Sequence, residues 1–170
     1  MTEVSGFPPL SRPDARVLIL GSMPGRESLA RHRYYAHPRN SFWPIVTDLL
    51  AITASDYRER VERVTRRGIA VWDVLKTCHR SGSLDSNIKD SSIVTNDFGE
   101  FFAQHPAVTR VFFNGAKAES VYRKYVLPSL RGKAGALELQ RLPSTSPAHA
   151  GMSFEQKKSA WRTILGDGVE

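Results

Sequence analysis

Two short apolar runs constrain this chain more than any other feature: Arg16-Val17-Leu18-Ile19-Leu20, ending at Gly21, and Ile69-Ala70-Val71-Trp72-Asp73-Val74-Leu75. A strand with one wet face alternates apolar and polar side chains. A run without that alternation needs cover on both faces, which is the condition of a parallel sheet held between helices. Val108 to Phe113 and Ala136 to Leu142 read as third and fourth strands. Between the strands the apolar spacing becomes helical. Phe42, Ile45, Val46, Leu49 and Leu50 share a face, with Pro44 tolerated inside the first turn. A second helix is predicted from Ser55 to about Arg67, with Tyr57, Val61 and Val64 on one face and Gly68 as its stop. Asn96 or Asp97 caps a short helix through Gln104, and another follows Gly115 through Tyr125. Ser153-Phe154-Glu155-Gln156 is a capping box opening the last helix, where Trp161, Ile164 and Leu165 face inward before Gly166. The alternation predicts an α/β fold, a three-layer αβα sandwich with a central four-stranded parallel sheet.

The length of 170 residues suits one domain, since a single core usually serves about 100–200 residues. A hydrophobic share of 41 % is enough to fill that core, and no apolar run approaches the ~18–20 residues that span a bilayer. Membrane insertion is therefore not expected. The first residues, Met1-Thr2-Glu3-Val4-Ser5-Gly6, lack the basic start and apolar centre of a secretory signal, which predicts a cytoplasmic, intracellular protein. Cys78 is the only cysteine, so an internal disulfide is excluded and a structural role is expected. No His, Cys and carboxylate cluster has metal-ligand spacing, and neither a metal nor another cofactor is predicted. The net charge of +7 favours a polyanionic partner, because Lys and Arg gain affinity by releasing counterions from phosphates. We expect the protein to act as a monomer.

Parallel sheets place their sites in loops at the carboxyl ends of the strands, so three segments matter most: Gly21 to Asn40, Asn114-Gly115, and Pro143 to Gly151. In Gly21-Ser22-Met23-Pro24-Gly25 the glycines let backbone amides approach a ligand and the proline stiffens the turn; a tight turn without a ligand is the plainer reading. Tyr35-Ala36-His37-Pro38-Arg39-Asn40-Ser41-Phe42-Trp43 joins aromatic, amide and basic groups, a composition suited to an extruded base and its phosphates. Phe42 and Trp43 read better as core, and Asn40 or Ser41 also suits a helix cap. Pro143-Ser144-Thr145-Ser146-Pro147-Ala148-His149 is short, rigid and rich in hydroxyls, as a segment entering a duplex would be. Arg26 to Asn40 reads as irregular, and Lys76 to Thr95 as a long polar loop of a length often functional. Asp73 and Asp85, at or just after the second strand, are candidates for a general base, although turn capping is the commoner role for such aspartates.

These motifs, in this order, resemble those of the uracil-DNA glycosylase superfamily. Gly21-Ser22-Met23-Pro24-Gly25 looks like its first motif, the Tyr35 to Trp43 segment looks like the one that follows in the mismatch-specific branch, and Pro143-Ser144-Thr145-Ser146 is similar to its second motif, the loop that enters DNA. The likeness runs from about Arg16 to Leu165. One departure is informative. The mismatch-specific branch carries in its first motif an asparagine that positions the attacking water, and Met23 stands there in this chain, with no useful donor or acceptor. The branch sharing this change is that of the hypoxanthine-DNA glycosylases, in which the asparagine of the His-Pro-Arg-Asn segment is the catalytic residue. The resemblance thus implies Asn40 as the group that orients water. It implies a base pocket of Gly21, Ser22, Met23, Pro24, Gly25, Tyr35 and Asn114, with Tyr35 stacked on the base and Asn114 on the purine edge. It implies DNA as partner, contacted by Arg39, Ser144, Thr145, Ser146 and His149, and base release without strand cleavage, since no lysine of these motifs is placed for Schiff-base chemistry. A uracil or mismatch glycosylase, and a noncatalytic nucleic-acid or nucleotide-binding module, are the alternatives.

Overall fold

The computed structural model describes residues 2–166. Along the chain run β1 (Thr2–Ser5), β2 (Val17–Gly21), α1 (Arg26–Arg31), α2 (Phe42–Leu49), α3 (Tyr57–Arg66), β3 (Ile69–Asp73), β4 (Leu75–Arg80), β5 (Val94–Thr95), α4 (Phe98–Gln104), β6 (Arg110–Asn114), α5 (Ala116–Val121), β7 (Glu138–Leu142) and α6 (Phe154–Trp161). The unbroken apolar runs behave as their composition requires. β2 and β3 are buried at every position and pair in parallel within a four-stranded sheet ordered β3-β2-β6-β7, with helices on its faces. The register sets Gly21 opposite Asp73 and Asn114 opposite Leu142, so all four chain ends meet along one edge. The outer side of β3 is covered where Leu10 exchanges both backbone hydrogen bonds with Val71, which removes an open sheet edge.

Helix boundaries follow local chemistry. Asp56 and Asp97 cap α3 and α4 through side-chain bonds to Glu59 N and Glu100 N, and Ser153 with Gln156 forms the complete capping box of α6. Phe42 and Trp161, neither with exposed surface, lock α2 to α6 edge to face with ring centroids 5.8 Å apart. Each such buried ring stabilises by roughly 1.5–3 kcal/mol.

The structure corrects three sequence-based expectations. Arg26–Arg31 is a helix; Gly25 stands at its N-cap, and Glu27 pairs with Arg31 one turn on at 3.3 Å. The second strand ends at Asp73, and Leu75–Arg80 turns away into a separate antiparallel sheet of order β1-β4-β5. Of Lys76 to Thr95, only the stretch between Arg80 and Val94 therefore lies outside the strands. The alternation of β4 was hidden because Arg80, charged in sequence, points inward with 2 % of its surface exposed. Cys78 beside it is fully buried.

Candidate active site

A cleft of 310 Å³ opens at the carboxyl edge of the parallel sheet. Gly21, Ser22, Met23, Pro24, Gly25, Tyr35, Asn40, Asn114, Ser144, Thr145, Ser146 and His149 all line it. Arg39 does not; it is exposed outside, where its backbone amide donates to His37 Nδ1 at 3.1 Å. The three loops chosen from topology thus converge, and a fourth segment, Leu84-Asp85-Ser86, closes the other side.

Gly21 is where the fold is tightest. A Cβ there would lie 2.5 Å from Asp73 Oδ1 and 2.9 Å from the Tyr35 hydroxyl, so only glycine lets both polar groups come this close to the backbone of β2 beneath the cleft. The register that pairs Gly21 with Asp73 puts this carboxyl in place, and the left-handed Tyr35 (φ 55) brings in the phenol. Gly21→Ala should destabilise the protein by ~1–3 kcal/mol in urea unfolding, the usual effect of overpacking. Gly25→Ala is the control, because its Cβ would meet only Ser83 at an ordinary 3.5 Å and its backbone is extended. Equal behaviour of the two variants would refute the crowding argument.

Asp73 and Tyr35 are the buried polar groups that local reading passed over or assigned differently. Asp73 Oδ2 and the Tyr35 hydroxyl are both buried without a hydrogen-bond partner. Burial, reinforced by the nearby Asp85 carboxylate and opposed by Arg80, pushes Asp73 from its ordinary 3.8 up to about 7. Burial and the facing Asp73 raise the Tyr35 phenol well above its usual range. Unpaired polar atoms are costly in an interior, which makes this pair candidates for binding a polar ligand. The signal in the sequence was a carboxylate inside an otherwise apolar strand. One face of the Tyr35 ring is already covered by Phe42, stacked at 4.0 Å, so only the opposite face is left for a base.

The first-motif loop is clamped from behind. Ser22 Oγ donates to Asp85 at 2.5 Å, Arg26 N donates to Ser83 Oγ at 2.8 Å, and the buried Arg80 donates to Pro24 O at 2.7 Å and to Gly82 O at 2.8 Å. The carbonyls of Gly21 and Ser22 accept from Val74 N and Leu75 N, and that of Gly25 accepts from Leu29 N. The amides of Met23 and Gly25 have no acceptor among the described residues, leaving two unpaired donors in a loop that lines the cleft. Met23 itself is buried and packs near Gly6.

Asn40 sits at the cleft wall with its Oδ1 accepting from Phe42 N at 3.0 Å, the first amide of α2. That bond fixes the amide plane. The Nδ2 hydrogens and the second lone pair of Oδ1 are then available to water. Asn114 is less free: it donates to Thr145 Oγ1 and accepts from Thr145 N, both at 2.9 Å. It ties the end of β6 to the loop after β7, where Gly115 (φ 96) also donates to Leu142 O at 3.0 Å. This pairing overturns the expectation that Thr145 meets DNA directly. Thr145 is 1 % exposed and shapes the loop from inside. Ser144 and Ser146 are half-buried, and His149 is exposed at the cleft mouth. Lys157 supports the loop from below through Ser146 O at 3.4 Å and is not among the cleft residues. No group of three His, Cys, Asp or Glu among the described residues is arranged to hold a metal, and no helix is long and apolar enough to cross a membrane.

A parallel sheet whose strand-end loops enclose such a base-sized cleft has counterparts among known proteins. The family model of the uracil DNA glycosylase superfamily matches residues 8–165, and the chain belongs to that superfamily. It is 36 % identical over 158 residues to the hypoxanthine DNA glycosylase of Methanosarcina barkeri, covering 92 % of this chain and 94 % of the relative. It is 34 % identical over 162 residues to the hypoxanthine DNA glycosylase of Methanosarcina acetivorans, covering 94 % and 96 %. The solution NMR structure of a candidate uracil DNA glycosylase from Methanosarcina acetivorans superposes with a TM-score of 0.79 at 33 % identity, over 96 % of this chain and 97 % of that one.

Proposed function

We propose that this protein is a monofunctional DNA glycosylase that removes hypoxanthine from deoxyinosine by hydrolysis of the N-glycosidic bond, the first step of excision repair in the cell interior. The observation that carries this reading is the cleft itself, in which an oriented asparagine, unpaired loop amides and a buried carboxyl surround a base-sized space. The two relatives named for the same activity support the choice of base.

Glycosidic cleavage passes through an oxocarbenium-like sugar and an anionic leaving base, so the site needs an oriented water, leaving-group stabilisation and exclusion of bulk solvent. Asn40 orients the water. The amides of Met23 and Gly25 stabilise charge on the departing purine. Asp73, protonated below about pH 7, offers a donor and an acceptor side by side to the O6 and N1–H edge of hypoxanthine. The Tyr35 hydroxyl offers a further polar contact beside it. The cleft contains no lysine, consistent with base release that leaves the strand uncut.

The test is base release from duplexes carrying one deoxyinosine, one uracil or one mismatched thymine, with alkali used afterwards to cut abasic sites. Deoxyinosine should be processed fastest. Release of uracil tenfold faster than hypoxanthine would overturn the assignment of substrate.

A further inference from the structure

Beyond the ridge formed by residues 35–40 lies a second hollow, of 610 Å³, with Tyr34, Tyr35, His37 and Asn40 as the wall it shares with the cleft. Its lining includes Arg31, Arg33 and Arg60 with the rings of Trp43 and Tyr57, and contains no carboxylate. The volume falls in the ~300–1,000 Å³ range of small-molecule sites. The Arg33 guanidinium lies over the Tyr57 ring at 5.5 Å from its centroid, and that of Arg60 lies over Trp43 at 6.0 Å.

Of the three arginines lining this hollow, Arg31 pairs with Glu27. On α3, Arg63 pairs with Glu59 and Arg66 with Glu62, the ordinary arrangement for a solvated helix face. Arg60 on the same helix, and Arg33, have no carboxylate partner among the described residues, and Arg60 Nε is buried with no hydrogen-bond partner. A guanidinium resting on a ring still presents its N–H donors in plane, the geometry that grips phosphate oxygens. The rings are held rigidly, since Trp43 Nε1 donates to Tyr34 O at 2.8 Å and the Tyr57 hydroxyl accepts from Tyr34 N at 3.0 Å. Tyr34 thus connects the aromatic floor of the hollow to the wall of the cleft. His37 Nδ1 is occupied as an acceptor, which leaves Nε2–H as a donor on the ridge in the neutral ring.

We propose that this hollow is a second nucleotide site, in which Arg33 and Arg60 hold the phosphate next to the damaged nucleoside on the same DNA strand and the guanidinium planes, backed by the aromatic rings, receive the neighbouring base. The proposal rests on the glycosylase reading above. Base stacking on guanidinium planes tolerates any sequence, so such a site would grip the strand on one side of the lesion without restricting sequence context.

The experiment measures binding of the full chain to duplexes carrying a single 2′-fluorinated deoxyinosine, which resists cleavage, with neutral methylphosphonate linkages placed one at a time on either side. Combined Arg33→Ala and Arg60→Ala substitution should lower affinity about tenfold or more and flatten the slope of log affinity against log salt by roughly one. A methylphosphonate at one flanking linkage should reproduce this loss in the unaltered protein and add nothing in the variant. Arg33 is exposed, so Arg33→Ala alone carries the test if the double variant loses stability. Additive effects of methylphosphonate and variant at every linkage would overturn the site. So would inorganic phosphate that raises the melting temperature of the unaltered protein but not of the variant while those effects stay additive, since the hollow would then hold free anions. Release of hypoxanthine from ordinary deoxyinosine duplex is the separate readout: if it fails, the glycosylase reading falls and this proposal with it.

Discussion

Asn40→Ala should lower the single-turnover rate on a deoxyinosine duplex by about 10²–10³-fold, the effect of losing a group that orients water or stabilises the transition state. Stability should change far less. The only bond that Asn40 makes within α2 is the one from Phe42 N at 3.0 Å, and loss of a helix cap costs ~1 kcal/mol, or roughly 2–4 °C in a protein of this size. Asn40→Asp keeps the acceptor for that amide and should retain the melting temperature while still losing rate. DNA affinity should be nearly unchanged in Asn40→Ala. Near-normal turnover with a much lower melting temperature would make Asn40 a structural cap. The water-orienting group would then be sought at Asp85 or Ser144, both in the cleft, before Asn114, whose amide is already paired to Thr145.

The second large effect concerns pH. Asp73 holds its proton more tightly in the folded protein than in the unfolded chain, rising from 3.8 to about 7 because it is buried beside Asp85, with Arg80 only partly compensating. Its contribution to stability is therefore complete below about pH 4 and is lost as pH rises through 7, where ionisation must occur in a site that excludes water. At ~1.4 kcal/mol per pH unit, the loss amounts to at most about 4 kcal/mol by pH 8. Asp73→Asn cannot ionise. It should match the unaltered protein near pH 4 and exceed it by several degrees in melting temperature at pH 8, and base release should persist at both, since the amide keeps a donor and an acceptor side by side. The check is the difference between the two proteins in urea unfolding at pH 4, 6 and 8. A difference that stays constant across this range would rule out titration of Asp73.

Much of this architecture was legible in the residues. The unbroken runs at Val17 and Ile69 could only be strands covered on both faces, and the caps at Asp97 and Ser153 set helix starts by bonds made within four residues. β4 escaped notice because its pattern contains Arg80, whose inward position depends on Pro24 O and Gly82 O, the first of them 56 residues away. Thr145 looked like a surface hydroxyl until Asn114, 31 residues earlier, was seen to take both its amide and its oxygen.

The sequence by itself determined most of the elements of the parallel sheet and its helices, and which loops stand at the carboxyl edge, because periodicity, caps and motif spacing are properties of adjacent residues. Only the tertiary structure decided that Asp73 lies unpaired against Gly21 and Tyr35, that Ser22 is bonded to Asp85 across 63 residues, and that Arg33 and Arg60 face a hollow without a counter-charge. The state of a polar group is set by how much water it keeps and which distant groups face it, and neither is fixed until the chain has closed around it.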